Sequence, residues 1–342
     1  MPLARFQKVA VAALCSLLLL IVAGAVVRVS GAGMGCPDWP TCWGCLVPPT
    51  KVEDVDFSKL KIQKFKDKAA REGRDPDTIT SETLRAEFNP RLAWTEYLNR
   101  LCTTPLSVFT LATFILSFWQ RRQRPSVFWA AFLSLLLIGV NAWMGARIVY
   151  SGLKPGIITT HLALAMAMFG LLAWCAWRGT DRPWRADIAQ AAAGKLKWGL
   201  VLLLGVVIAE GILGAQIREI TDEMAKAHHA APKEQWIGEL ERQWIYLIHR
   251  SFSWVVLVVT LWLYLIAARH GNPGRVGKAV LGIVLAQMVL GVVMSQVHLY
   301  AGVQVLHVVL AAVLLVFNWL WLFGAWEVGT HREGWWGERP LV

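Results

Sequence analysis

The sequence contains eight stretches of about 20 mainly apolar residues, and these constrain the fold more than any other feature. They cover residues 9–27, 96–119, 127–149, 157–177, 198–217, 244–268, 279–297 and 303–325. Continuous apolar runs of this length indicate membrane-spanning helices, because barrel strands are shorter and alternate. Hydrophobic residues make up 56% of the chain, which is more than a soluble core can bury. The sequence therefore predicts an all-α integral membrane protein with eight transmembrane helices.

The basic residues that produce the net charge of +11 lie mainly between the apolar stretches. Fifteen Lys and Arg residues occupy the termini and the connections on one side, whereas connections 150–156 and 298–302 contain only Lys154. Because cytoplasmic loops are enriched in Lys and Arg, we expect both termini in the cytoplasm and loop 28–95 outside. This distribution argues against nucleic-acid binding. The first apolar stretch lacks a cleavage site and no transit peptide precedes it, so we expect a multi-pass protein of the bacterial plasma (inner) membrane.

The two halves of the chain are similar in sequence. Three residues recur at one constant offset: Asn141, Gly145 and His161 correspond to Gln287, Gly291 and His307. Further matches are Asn99-Arg100 with His249-Arg250, and Gly24 and Arg28 with Gly214 and Arg218. The repeat predicts two four-helix bundles related by a pseudo-twofold axis along the membrane normal. Residues 1–185, which include outer loop 28–95, would form the first half and residues 186–342 the second.

Histidines inside two spanning helices of the second half indicate a cofactor. An ionisable residue in a membrane span is costly and is usually functional. His249 and His307 each lie about five residues from the outer end of their helices, roughly 7 Å below the boundary. Two neutral imidazoles at one depth suit axial ligation of a haem iron, whereas zinc takes about four ligands. Hydrogen bonds to neighbouring helices are the alternative.

The first half differs from the second at one ligand position. His161 lies at the corresponding depth, but Asn99 occupies the position that matches His249. An amide is a poor iron ligand, so a haem held by His161 alone would keep an open face for substrate chemistry. A degenerate half-site is the alternative. Glu96 lies one turn before Asn99, where it could transfer protons to a substrate or simply pair with Arg100.

Four arginines lie at the outer ends of predicted helices: Arg28, Arg100, Arg218 and Arg250. A guanidinium there can bind a haem propionate through two hydrogen bonds. It can equally extend towards water at the interface. With both interpretations open, we include Arg100, Arg250 and the neighbouring Asn99 among the candidate cofactor-binding residues.

The outer loop contains three of the six cysteines: Cys36, Cys42 and Cys45. A disulfide is expected outside the membrane, and three cysteines allow three pairings. Cys42 and Cys45 form a C-x-x-C pattern, which could be a redox pair. The charged stretch 51–75 is expected to form a helical hairpin that covers the protein, without chemistry of its own.

Five segments together resemble the haem A synthase family. They are VVRVSGAGMGCPDWPTC, EYLNR (96–100), TTHLALA around His161, YLIHR (246–250) and VLHVVLA around His307. The resemblance covers roughly residues 10–325 and implies an oxidoreductase that converts the C8 methyl of haem O to a formyl group through hydroxylated intermediates. It implies a haem b cofactor on His249 and His307, which transfers electrons, and substrate haem near His161 and Glu96.

The resemblance also implies a disulfide between Cys36 and Cys42, with Cys45 left over. We expect a haem O synthase and terminal oxidase assembly as partners, and a homo-oligomer is a further candidate. The sequence departs from the family at Asn99, where the usual pattern has His, so only single ligation by His161 is expected there. The main alternative is a dihaem cytochrome b without substrate oxidation. It predicts two His ligands at every haem site, so Asn99 argues against it. A haem exporter and a disulfide-exchange membrane protein are two further hypotheses for a chain of this kind.

Overall fold

A computed structural model describes residues 4–58, 60, 62–71, 75–151, 156–228, 235–297 and 299–329. Within them, eight helical segments are long and apolar enough to cross a membrane: Arg5–Val29, Pro90–Gln120, Pro125–Tyr150, Ile157–Arg178, Gln190–Met224, Trp244–His270, Gly274–Gln296 and Ala301–Val328. The all-α membrane fold with eight spans is therefore confirmed. Lys154 and residues 330–342, which contribute to the predicted orientation, lie outside the described residues.

The helices of the described chain are numbered here in chain order. They are α1 (Arg5–Val29), α2 (Ile62–Arg71), α3 (Ser81–Glu87), α4 (Pro90–Leu101), α5 (Thr103–Ser117), α6 (Pro125–Tyr150), α7 (Ile157–Arg178), α8 (Gln190–Ala227), α9 (Ile237–Glu241), α10 (Trp244–His270), α11 (Gly274–Gln296) and α12 (Ala301–Gly329). Strands β1 (Asp187–Ile188) and β2 (Gly271–Asn272) pair antiparallel and join the connections that precede α8 and α11. This short ladder was not predicted from the sequence.

The second spanning segment is interrupted, although residues 96–119 read as one apolar stretch. α4 ends at Leu101 and α5 begins at Thr103. Pro105 has no N–H and cannot donate to the carbonyl of Leu101. The hydroxyl of Thr103 donates to the carbonyl of Arg100 at 2.6 Å, which competes with the helical hydrogen bonds. The helix that carries Glu96 and Asn99 is therefore a separate short element.

The spanning helices of each half contact one another in a closed sequence. In the first half α1 contacts α5, α5 contacts α6, α6 contacts α7, and α7 returns to α1. In the second half the same sequence runs through α8, α10, α11 and α12. α12 also packs against α1 and α7, and one apolar core that includes Leu17, Leu172, Leu200 and Leu315 joins the halves. Two features stay predictions: the two-bundle arrangement with a pseudo-twofold axis, and the side of the membrane on which the termini lie.

The loop between α1 and α4 has an apolar core of its own. α2 buries Phe65 and Ala69, which lie one turn apart on one helical face, and Leu84 of α3 is buried in the same core. The indole of Trp43 packs against Phe88, with ring centroids 5.1 Å apart. α2 lies within 51–75 and shows the predicted helical character, whereas the helical hairpin stays a prediction.

Candidate functional site

The predicted histidine pair of the second half is brought together. His249 lies on α10 and His307 on α12, with ring centroids 6.5 Å apart and planes inclined by 77°. α11 contacts both helices, and Gln287 on α11 donates from Nε2 to the backbone carbonyl of His307 at 2.8 Å. The repeat equivalent of Gln287 is Asn141, which is buried. The fold therefore places the two imidazoles side by side between three helices.

The geometry of this pair fits a haem iron. A metal–imidazole bond is about 2 Å, so two such bonds and two ring radii together span roughly 6 to 6.5 Å. The Nδ1 atom of His307 is buried without a hydrogen-bond partner among the described residues. Within the same residues, no group of three or more His, Cys, Asp or Glu side chains could hold a metal ion. Two imidazoles suit the axial positions of a haem better than a tetrahedral zinc site.

Glu210 on α8 belongs to this arrangement, although the sequence analysis did not single it out. Its Oε2 atom is in direct contact with Nδ1 of His249, and only 12% of its side chain is exposed. Gly214 lies one turn further along α8, where a Cβ atom would be 3.5 Å from Cε1 of His249. α8 therefore places an acidic group and a residue without a side chain beside the imidazole. An acidic residue within the fifth apolar stretch was the signal that could have identified Glu210.

In the first half, His161 and Asn99 project from α7 and α4 beside glycines of neighbouring helices. A Cβ at Gly145 would be 4.0 Å from Cε1 of His161, and a Cβ at Gly24 would be 3.9 Å from Oδ1 of Asn99. The Oδ1 atom of Asn99 is buried without a hydrogen-bond partner among the described residues. This side chain therefore has an atom that a ligand can satisfy.

Glu96 and Arg100 pair with each other, which is the arrangement that the sequence left open as the alternative to a role in chemistry. The buried Glu96 accepts from Nη2 of Arg100 at 2.5 Å and from the backbone N–H of Cys36 at 2.7 Å. Arg100 also donates to the carbonyls of Cys36, Asp38 and Thr41 at 2.8–2.9 Å. These bonds attach the start of the outer loop to α4, one turn from Asn99.

The outer loop approaches α4 closely because residue 35 is a glycine. A Cβ at Gly35 would lie 2.2 Å from the carbonyl oxygen of Leu92, a distance that no other residue type could tolerate. Cys36 and Cys42 form a disulfide, so this predicted pairing is confirmed. Cys45 is a free thiol, and its backbone pairs with that of Cys42.

Arg28, in the last turn of α1, meets Arg218 of α8. They share the carboxylate of Asp222 at 2.6 and 2.9 Å, and Arg218 donates to the backbone carbonyl of Arg28 at 2.9 Å. Nη1 of Arg28 and Nε of Arg218 are buried and have no hydrogen-bond partner in the described part of the chain. Two cations that share one anion keep a positive charge, and these donors suit a further carboxylate. Arg250 is exposed on α10.

The chain matches a known protein family along most of its length. A model of a family described as cytochrome oxidase assembly protein matches residues 7–318. The chain belongs to the cytochrome oxidase assembly protein family. Among its relatives, a heme A synthase of Sphingopyxis alaskensis is 25% identical over 321 residues, which cover 88% of this chain and 86% of the relative. A heme A synthase of Caulobacter vibrioides is 26% identical over 332 residues, which cover 86% and 89% respectively.

The matched region of the chain contains every candidate site residue, from Arg28 to His307. Glu210 is not the only acidic residue among those described that was missed in the sequence. Two further acidic residues contact helices of the candidate site and were not predicted. Asp222 joins Arg28 and Arg218, and Glu219 contacts the first turn of α7. Both belong to the segment 218–243, which reads in the sequence as a connection with mixed charge. α8 instead extends to Ala227, and its last turns carry these contacts.

Proposed function

We propose that this protein is a haem A synthase, an oxidoreductase that converts the C8 methyl group of haem O to a formyl group through hydroxylated intermediates. Its family and the names of its relatives support this assignment. The observation that carries it is the 6.5 Å separation between the rings of His249 and His307, two imidazoles held beside a first half that has only one.

In this proposal the second half, residues 186–342, binds a haem b between His249 and His307. A bound haem supplies one-electron transfer, and the protein supplies its ligands and surroundings. The imidazoles of His249 and His307 lie on α10 and α12, and α11 contacts both of these helices. Gly214 places no side chain against His249, where a Cβ atom would be 3.5 Å from Cε1 of the ring. Arg250 and the Arg28–Arg218 pair are the candidate partners of the haem carboxylates.

The first half, residues 1–185, binds haem O as the substrate. His161 holds the substrate from one side, while the amide of Asn99 occupies the place of a second ligand without competing strongly for a metal. The unpartnered Oδ1 atom of Asn99 accepts a hydrogen bond from a bound group. Glu96 is the candidate proton-transfer residue at this site, and Arg100 orients it and attaches the outer loop above.

The proposal places the protein in the plasma membrane of a bacterium, with both termini in the cytoplasm and loop 28–95 on the outer side. The substrate must come from an enzyme that attaches the farnesyl group of haem O, and the product must be consumed by assembly of a terminal oxidase. These two enzymes are the expected partners, and a homo-oligomer is a candidate assembly.

Product analysis in cells tests the proposed reaction. The full chain is co-expressed with a haem O synthase in a host that makes no haem A, and extracted haems are identified by mass spectrometry. We expect hydroxylated haem O and haem A, and we expect both to disappear with His161→Ala, His249→Ala or His307→Ala. His270→Ala is the matched control, because this exposed histidine lies at the other end of α10. Purified protein that carries haem b while the cells accumulate only haem O would contradict the proposal and favour the cytochrome b alternative.

A further inference from the structure

We propose that Glu210 is a positioning residue for the second-half haem: its carboxylate holds His249 with Nε2 directed to the iron and lowers the reduction potential of that haem. This inference rests on the proposed function, because it requires a haem between His249 and His307. It concerns a residue on α8 that is not itself a ligand.

The contact between Glu210 and His249 is specific. Oε2 of Glu210 touches Nδ1 of His249, and neither atom has any other hydrogen-bond partner among the described residues. Both side chains are largely buried, with exposed fractions of 12% for Glu210 and 26% for His249. A carboxylate at this depth in a membrane is costly unless it is paired, and His249 is the group that it contacts.

A carboxylate at Nδ1 determines which ring nitrogen can bind a metal. The proton of the neutral imidazole stays on Nδ1, where it faces the negative charge, and the lone pair is on Nε2. A metal-bound histidine that gives its other N–H to a carboxylate is a more basic ligand. A more basic axial ligand favours the ferric form of haem and therefore lowers its reduction potential.

The first half has no counterpart of this carboxylate. The offset that matches Gly24 with Gly214 and Arg28 with Arg218 also matches Leu20 with Glu210. Leu20 is apolar and cannot polarise the group at position 99. The two halves therefore differ in a second respect beyond Asn99, and the more electron-rich ligand belongs to the half for which electron transfer is proposed.

Potentiometric titration of the purified full-length protein tests this inference. The second-half haem is first identified as the absorbance that disappears in His249→Ala. We expect Glu210→Ala to raise the midpoint potential of that haem by about 59 mV or more, which is a tenfold change in a one-electron equilibrium. Glu210→Gln retains an acceptor oxygen but loses the charge, so we expect a smaller shift in the same direction. Glu223→Gln removes a carboxylate from an exposed position of the same helix and is expected to leave the potential unchanged.

The outcomes separate the two proposals. If His249→Ala retains the complete haem spectrum, the proposed haem site itself is wrong. If His249→Ala loses it while both Glu210 variants keep the potential and the ferric electron paramagnetic resonance signal of the parent, the role of Glu210 is wrong and the haem site stands. Should Glu210→Ala fail to accumulate, the Gln variant decides alone, because it preserves size and hydrogen bonding, and an unshifted potential in it contradicts the inference.

Discussion

Gly214 lies beside the imidazole of His249 in the same way that Gly24 lies beside the amide of Asn99. A Cβ atom at Gly214 would be 3.5 Å from Cε1 of His249, and one at Gly24 would be 3.9 Å from Oδ1 of Asn99. These two pairs are equivalent in the internal repeat. The contact of α1 with α4 and that of α8 with α10 therefore place a glycine at equivalent positions, one beside Asn99 and the other beside His249.

A larger side chain at Gly214 should exclude haem from the second half. Gly214→Leu would fill the space beside His249 with four additional carbon atoms, so we expect at least a tenfold loss of bound haem b, measured by absorbance per protein after purification. Gly205→Leu is the matched control, because Gly205 lies on the same helix and faces open space. Equal haem content in the two variants would show that the space beside Gly214 is not part of the site.

Asn99→His should add a second ligand to the first half. A haem bound there through His161 would become six-coordinate and low-spin, because imidazole is a strong ligand where the amide is not. The change is measured as an additional low-spin ferric signal in electron paramagnetic resonance. The same substitution in a His161→Ala background serves as the control and should not produce that signal. A spectrum of Asn99→His that equals the parent's would place residue 99 away from the haem.

Glu219 should stabilise the helix that carries His161. Its carboxylate accepts from the backbone N–H of Gly156 and from the hydroxyl of Thr159, at the positive end of α7. We expect Glu219→Ala to lower the free energy of unfolding by about 1 kcal/mol, the usual effect of removing a helix cap. Denaturant titration in detergent measures this change. Glu223→Ala, at an exposed position of the same helix, should change it far less.

The disulfide makes the number of reactive thiols predictable. Alkylation of the unfolded, unreduced protein should modify four cysteines, Cys15, Cys45, Cys102 and Cys175, and reduction should expose two more. Cys45→Ser should therefore lower the first count by one and leave the increment on reduction unchanged. Peptide mapping that finds Cys45 joined to Cys42 would contradict this pairing.

The sequence by itself determined the elements and the kinds of groups that they carry. Hydropathy acts along the chain, so an apolar run of about 20 residues becomes a spanning helix wherever it packs. The repeat aligned His161 with His307 and exposed the change at Asn99 without any structure. The membrane cost of ionisable groups directed attention to His249, and the same reasoning would have identified Glu210.

Only the tertiary structure decided which side chains meet. A spanning helix is apolar around its whole circumference, because lipid and protein core accept the same residues, so its sequence does not define the face that turns inward. Three contacts depend on how each helix is rotated about its own axis. They are the contact between Glu210 and His249, the attachment of Glu96 and Arg100 to the outer loop, and the cap of Glu219 on α7. They also join residues far apart in the chain, and their distances become defined only when the helices have packed.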